Sequence, residues 1–253
     1  MTPIDNQILI NIAIKAGKAI LQFYDEPIEV EHKSDDSPLT KADLAAHQVI
    51  VDSLTKENPD VPIISEEGGI ADYLVRKEWS RYWLVDPLDG TKEFIKKNGE
   101  FTVNIALIEN NIPVFGVVHI PATGVTYVGH KSEGSLKIDK NGNRQKIYSE
   151  VPDLSKPVRV VCSRSHGSSD MEQVLADKGI EIGDQVPAGS SLKFCLLAEG
   201  KADVYPRLGP TMEWDTAAGD AVFRYSSKDG SRKSPIKYNK ENMLNDGFII
   251  GHI

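Results

Sequence analysis

Along residues 8–23 the apolar positions Ile8, Ile12, Ala16, Ile20 and Phe23 fall on one stripe, the 3.6-residue rhythm of an amphipathic helix. A polar stretch over 29–37 interrupts that rhythm. A second helical spacing then runs through Leu44, His47, Val51 and Leu54. It opens at Thr40-Lys41-Ala42-Asp43, where Thr40 and Asp43 have the separation of a capping box.

Beyond that helix the apolar runs become short and compact. Val61-Pro62-Ile63-Ile64, Trp83-Leu84-Val85, 101–108 and 114–120 predict strands, the last two joined across the turn-rich Glu109-Asn110-Asn111. Residues 126–129 and 135–138 continue an antiparallel meander punctuated by Gly134 and Asn141-Gly142. After Val151-Pro152-Asp153 the order changes to strand 158–162, helix 169–178, helix 190–198, strand 202–205 and helix 216–225. Strands alternating with helices predict a mixed or parallel sheet. The expected architecture is α+β or mixed α/β. A boundary near 150–157 separates residues 1–152, helices plus an antiparallel sheet, from residues 153–253, an α/β half.

Composition narrows this picture. With 253 residues, 26% charged and 40% hydrophobic, the chain has the make-up of an ordinary globular protein. A formal net charge of −8 argues against binding duplex nucleic acid, which calls for a basic face. It leaves a small anionic substrate open, because bound divalent cations reverse the local sign of a site. The two cysteines, Cys162 and Cys195, read as free thiols, and no CxxC pattern points to zinc or redox work. The N-terminal residues lack an export signal, and no apolar stretch reaches the roughly 20 residues of a membrane span. A cytoplasmic protein is expected, with peripheral contact at the inner membrane left open and no oligomeric state specified.

Candidate chemistry concentrates where strands end in acids. Asp86-Pro87-Leu88-Asp89-Gly90-Thr91 leaves an apolar strand with two carboxylates three residues apart. Ionised Asp is seldom buried without a compensating cation, and oxygen-rich clusters suit hard divalent ions such as Mg²⁺. The alternative is a strand-to-turn exit made of turn-forming residues. Ser65-Glu66-Glu67-Gly68-Gly69 ends another apolar run in paired acids. Trp214-Asp215-Thr216-Ala217-Ala218-Gly219 sets a carboxylate ahead of a small-residue helix, where it reads either as an N-cap or as a group facing a metal-bound phosphate.

Together these segments resemble the inositol monophosphatase superfamily of lithium-sensitive, Mg²⁺-dependent phosphatases. Within it they are most similar to the bacterial 3′(2′),5′-bisphosphate nucleotidases of the CysQ type. That finer likeness rests on 38–43, 89–95, Asn98-Gly99-Glu100-Phe101-Thr102-Val103-Asn104, Ser163-Arg164-Ser165-His166, Gly189-Ser190-Ser191-Leu192-Lys193-Phe194-Cys195 and Tyr205-Pro206-Arg207. The chain departs from the pattern at Gly68-Gly69, where another acid is common, and over 223–235, which lacks paired glycines.

The resemblance implies a layered α-β-α-β sugar-phosphatase-like fold and two Mg²⁺ ions, with room for a third. Glu66, Asp86 and the Leu88 carbonyl would hold one ion; Asp86, Asp89 and Asp215 would hold the other. Asp43 and Thr91 would be catalytic, orienting and deprotonating the attacking water. Glu66, Leu88, Asp89, Gly90, Thr91, Ser163, His166, Ser190, Ser191, Lys193, Arg207 and Asp215 would contact substrate. The implied reaction is hydrolysis of adenosine 3′,5′-bisphosphate to AMP and phosphate, clearing a by-product of sulfate assimilation. The runner-up is an inositol monophosphatase, and Lys193 and Arg207 argue for a substrate with a second phosphate. A catalytically silent metal- or nucleotide-binding regulator would need a missing ligand, and none is missing.

Overall fold

The computed structural model describes residues 5–25, 30–32, 38–163, 169–228 and 233–251. In chain order these form α1 (Asn6–Leu21), β1 (Val30–His32), β2 (Pro38–Thr40), α2 (Lys41–Glu57), β3 (Ile63–Ser65), α3 (Tyr73–Arg76), β4 (Arg81–Asp89) and α4 (Thr91–Ile95). The meander follows as β5 (Thr102–Glu109), β6 (Ile112–Ile120), β7 (Val125–His130), β8 (Gly134–Ile138) and β9 (Arg144–Lys146). Then come β10 (Val158–Cys162), α5 (Ser169–Ala176), β11 (Ile182–Pro187), α6 (Leu192–Ala198), β12 (Val204–Arg207), β13 (Thr211–Met212), α7 (Glu213–Arg224), β14 (Leu244–Asn245) and β15 (Phe248–Gly251).

The large sheet runs β3-β4-β5-β6-β7-β8-β9, antiparallel except for the parallel pair β3/β4. Its β5–β6 hairpin turns at Asn110 and Asn111, with φ of 48° and 62°. Two successive positive φ values give the turn whose twist suits a two-residue hairpin, and Asn tolerates them. The smaller sheet, β11-β10-β12-β15, is mixed, with β10 parallel to both neighbours and β15 antiparallel to β12.

Alternate strand residues feed opposite cores. Trp83, Val85, Val103 and Ile105 pack under α1 and α2, whereas Tyr82, Leu84, Ala106 and Ile108 pack toward α6 and α7. The layers are therefore α1/α2, large sheet, α6/α7 and small sheet. The expected α-β-α-β order gains a fifth layer, because α5 closes the outer face of the small sheet with Met171 and Leu175 on Val158, Val160 and Val204. Close approach of α7 to the large sheet depends on glycine. A Cβ at Gly116 or Gly129 would lie 2.4 Å from the carbonyl oxygen of Ala218 or Ala221.

The second helix differs from its expected stripe. Its buried face is Ala42, Asp43, Ala46, Ile50 and Leu54, while Leu44 is exposed. Alanines at the contact let α2 lie close to its neighbours, so small residues, not the larger Leu44 and Val51, mark the inner face. Strands β11 and β15 lie outside the expected set. Exposed Gly183, Asp184 and Gln185 break the apolar pattern of β11 at the sheet edge.

Candidate active site

The acids converge because of how β3, β4 and α7 are set against one another. Parallel pairing puts Ser65 beside Val85, so the next residues, Glu66 and Asp86, leave the sheet side by side. Asp86 and Asp89 stand three residues apart and would face opposite sides of a regular strand. The ladder prevents that. Asp86 pairs with Asn104 and Asp89 with Thr102, three steps on β4 against two on β5, a bulge that brings both acids to one side. Asp215 lies in the first turn of α7, as the third helical residue and not as the N-cap that its sequence position allows. Its Oδ2 reaches back to accept the Met212 N–H at 2.8 Å.

Glu66, Asp86 and Asp215 each bring a carboxylate oxygen within 4.8 Å of the others. Asp86 is 1% exposed. Burial, then the charges of Glu66, Asp89 and Asp215, push its pKa well above the usual carboxylate range. Burial and Asp89 push Asp215 up to about 8. Asp89 is also raised, chiefly by burial, against the opposing pull of the Lys193 ammonium and of hydrogen bonds from Ser191 and Asn104. Such a set of hard oxygens, costly to ionise together, fits a divalent cation, which would reverse the repulsion.

Asp43 sits in the capping box of α2 and also touches Thr91. Its Oδ2 accepts the Thr40 backbone N–H at 2.8 Å and the Thr40 hydroxyl at 2.6 Å, closing the capping box. Its Oδ1 accepts the Thr91 hydroxyl at 3.2 Å. That hydroxyl also lies 3.4 Å from the Leu88 carbonyl oxygen, so Asp43, Leu88 and Thr91 meet at one point. Gly90 precedes Thr91 with φ of 89°, and a Cβ there would sit 2.1 Å from Ser190 Oγ, so both backbone and space require glycine.

Asp89, Gly90, Ser163, Ser190, Lys193, Arg207 and Asp215 line one cavity of about 460 Å³. Lys92, Glu93 and Lys96, which the sequence reading did not single out, line it as well. Their signal was present only as the charged face of a short helix beginning at Thr91. Ser190 has φ of 46°, and its hydroxyl lies 2.9 Å from the Asp89 carbonyl oxygen and 2.7 Å from that of Glu100. Lys193 Nζ donates to the carbonyls of Ser190 at 2.9 Å and Ala188 at 3.2 Å, and burial lowers its pKa. Ser191 departs from its expected place in the substrate wall. It is 2% exposed, and its hydroxyl contacts Asp89 and the Asp215 backbone. His166 lies outside the described residues.

Residues 5–224 match the model of the inositol monophosphatase family, so the chain belongs to that class of divalent-metal phosphatases. It is 49% identical over 245 residues to "3'(2'),5'-bisphosphate nucleotidase CysQ" of Escherichia coli K12, covering 94% of this chain and 96% of that protein. The crystal structure of CysQ from Bacteroides thetaiotaomicron superimposes with a TM-score of 0.80 at 41% identity, covering 98% of this chain and 97% of that one. An inositol monophosphatase from Thermotoga maritima shares the fold, with a TM-score of 0.72 at 21% identity over 97% of this chain and 91% of its own. No helix among the described residues is long and apolar enough to cross a membrane.

Proposed function

We propose that this chain is an Mg²⁺-dependent phosphomonoesterase that hydrolyses the 3′-phosphate of adenosine 3′,5′-bisphosphate, yielding AMP and inorganic phosphate. The observation that carries the reading is the mixed charge of the cavity. Two of the clustered carboxylates, Asp89 and Asp215, line it together with Glu93 and four cationic side chains, Lys92, Lys96, Lys193 and Arg207. A substrate with one phosphate at the metal-binding acids and a second within reach of the cations matches that lining better than an inositol monophosphate. The 49% identity to a bisphosphate nucleotidase supports the same substrate.

Glu66, Asp86 and the Leu88 carbonyl would hold one Mg²⁺, and Asp86, Asp89 and Asp215 a second. When bound, the cations neutralise phosphoryl oxygens, acidify a water and stabilise the leaving sugar oxygen. The protein supplies orientation and a proton path. Thr91 Oγ1 donates to Asp43 Oδ1, which turns a hydroxyl lone pair outward; as it takes a proton from the attacking water, its own proton would pass to the Asp43 carboxylate. Asp43 can hold its place because Thr40 fixes its other oxygen. Oxygen attacks phosphorus as the P–O3′ bond breaks, and the 3′ oxygen leaves with a proton from solvent. Gly90 and Thr91 amides at the start of α4 face phosphate oxygens. Residues 1–152 and 153–253 each contribute a wall, with Ser163 toward the nucleoside. Lithium inhibition and a cytoplasmic place beside sulfate assimilation belong to the same reading.

Phosphate release from adenosine 3′,5′-bisphosphate and from inositol 1-phosphate, measured in parallel with Mg²⁺ present or chelated, tests it. Mg²⁺-dependent turnover favouring the nucleotide is expected. Preference for the inositol phosphate would overturn the substrate assignment, and turnover of neither would leave a silent binding protein.

A further inference from the structure

Thr102 and Asn104 stand two apart on β5, so their side chains share a face, and that face looks onto the bulged end of β4. Both are buried, as is Ser191 at the start of α6. Asn104 Nδ2 donates to Ser191 Oγ at 2.9 Å and to Asp89 Oδ2 at 3.2 Å. Ser191 Oγ in turn lies 2.9 Å from Asp89 Oδ2 and 3.0 Å from the Asp215 carbonyl oxygen. The Thr102 hydroxyl donates to Asn104 Oδ1 at 3.0 Å.

These bonds admit one polarity. Turning the Asn104 amide over would aim its oxygen at a carboxylate and its NH₂ away, so the acid fixes the amide. The Ser191 proton goes to the charged Asp89 oxygen, since a hydrogen bond to an ionised acceptor is the stronger. Asp89 Oδ2 therefore receives two close donors, one from the large sheet and one from α6, with the Thr102 hydroxyl farther off at 3.5 Å. Among the described residues Oδ1 takes no hydrogen bond and remains for a cation.

We propose that Asn104 and Ser191 are positioning residues for Asp89: they hold Oδ2 so that Oδ1 is presented to the metal-binding group. Ser191 Oγ also lies 3.0 Å from the Asp215 carbonyl oxygen, so the same hydroxyl packs between acids borne on two different elements. The inference rests on the metal-dependent reading of the site.

The test is Mn²⁺ binding to the whole chain without substrate, read from loss of the free-ion electron paramagnetic resonance signal. Ser191→Ala and Asn104→Leu are expected to weaken at least one bound ion by about 10- to 100-fold, the usual range for removing an outer partner of a ligand. Thr102→Val removes the bond to Asn104 and a longer contact, 3.5 Å, with Asp89 Oδ2, and should weaken it less, about two- to threefold. Ser135→Ala is the control. It deletes a buried hydroxyl bonded at 2.7 Å to the Val222 carbonyl, remote from Asp89, and should leave Mn²⁺ affinity unchanged. Should Ser191→Ala or Asn104→Leu fail to fold, judged by its unfolding temperature, Thr102→Val decides. Wild-type-like affinity in the folded variants would overturn the proposal, as would equal weakening by Ser135→Ala. No Mn²⁺ binding by the wild type would overturn the metal reading itself, and this proposal with it.

Discussion

Glu213 and Asp215 occupy the first turn of the same helix, α7, and are surrounded in opposite ways. Glu213 is 0% exposed and closed off. Its Oε1 accepts the Lys240 N–H at 3.0 Å and the Lys240 ammonium at 2.8 Å, and its Oε2 accepts the Asn239 N–H at 2.8 Å. Among the described residues Asp215 accepts one such donor, at 2.8 Å, and burial followed by the charges of Asp89 and Glu66 lifts its pKa to about 8 against the weaker pull of Arg207. A buried carboxylate with its acceptors filled by donors and a cation holds structure together. One left among like charges is held there at a cost that protonation or a bound cation must offset. The contrast separates a strut from a site within two residues of sequence.

Removing one of the clustered acids should break the contrast most sharply. Asp86→Asn is expected to cut phosphate release at least about 10³-fold, or roughly 4 kcal/mol of transition-state stabilisation. It should also raise the melting temperature of the metal-free protein, because it deletes a repelled buried charge. Parallel activity and thermal-unfolding measurements check both, and a lower metal-free melting temperature would contradict the account.

The strut should behave in reverse. Lys240→Met leaves Glu213 charged and buried without its cation, and should cost about 3 kcal/mol of stability while the folded fraction keeps kcat within a fewfold. Denaturant unfolding and single-concentration turnover separate the two effects. Thr91→Val, which keeps shape but loses the hydroxyl aimed at Asp43 Oδ1, should lower kcat about 10²-fold with little change in stability.

Sequence carried these two regions unequally. Asp86 to Thr91 announced itself because two acids, a proline and a glycine rarely follow a buried strand. The bulge that turns Asp89 to the side of Asp86 was invisible, since it depends on the pairing register with β5. Asn104 stood at the end of a segment that carries the family resemblance, but with no role attached. A polar residue inside Phe101–Ile108 reads as an interruption until the fold sets Ser191 beside it. Likewise Ala42 and Ala46 concealed the inner face of α2, because small residues carry little weight in a hydrophobic pattern though they govern close packing. Glu213 passed unnoticed for want of Lys240, a partner 27 residues away.

The smallest expected effect is a pH dependence of opposite sign to ordinary acid denaturation. Because the folded pKa of Asp215 is raised to about 8 from 3.8, the native state holds the proton over a range where the unfolded state has lost it. Its stabilising contribution is full below about pH 4 and is lost as pH rises through about 8. Burial lowers His119 to about 4, so below the ordinary histidine value of 6.5 the unfolded state takes up its proton and the contribution runs the other way. Between pH 6.5 and 8, where the raised acid outweighs the last of the histidine titration, metal-free stability should fall by about 1 to 2 kcal/mol. Saturating Mg²⁺ should flatten that slope, as read from melting temperatures across the window.

The most direct test of the central claim is anomalous diffraction from crystals equilibrated with Mn²⁺. The account expects ion peaks among the carboxylates of Glu66, Asp86, Asp89 and Asp215, with Asp89 coordinating through Oδ1. Ions bound elsewhere, with this cluster empty at saturating Mn²⁺, would contradict it.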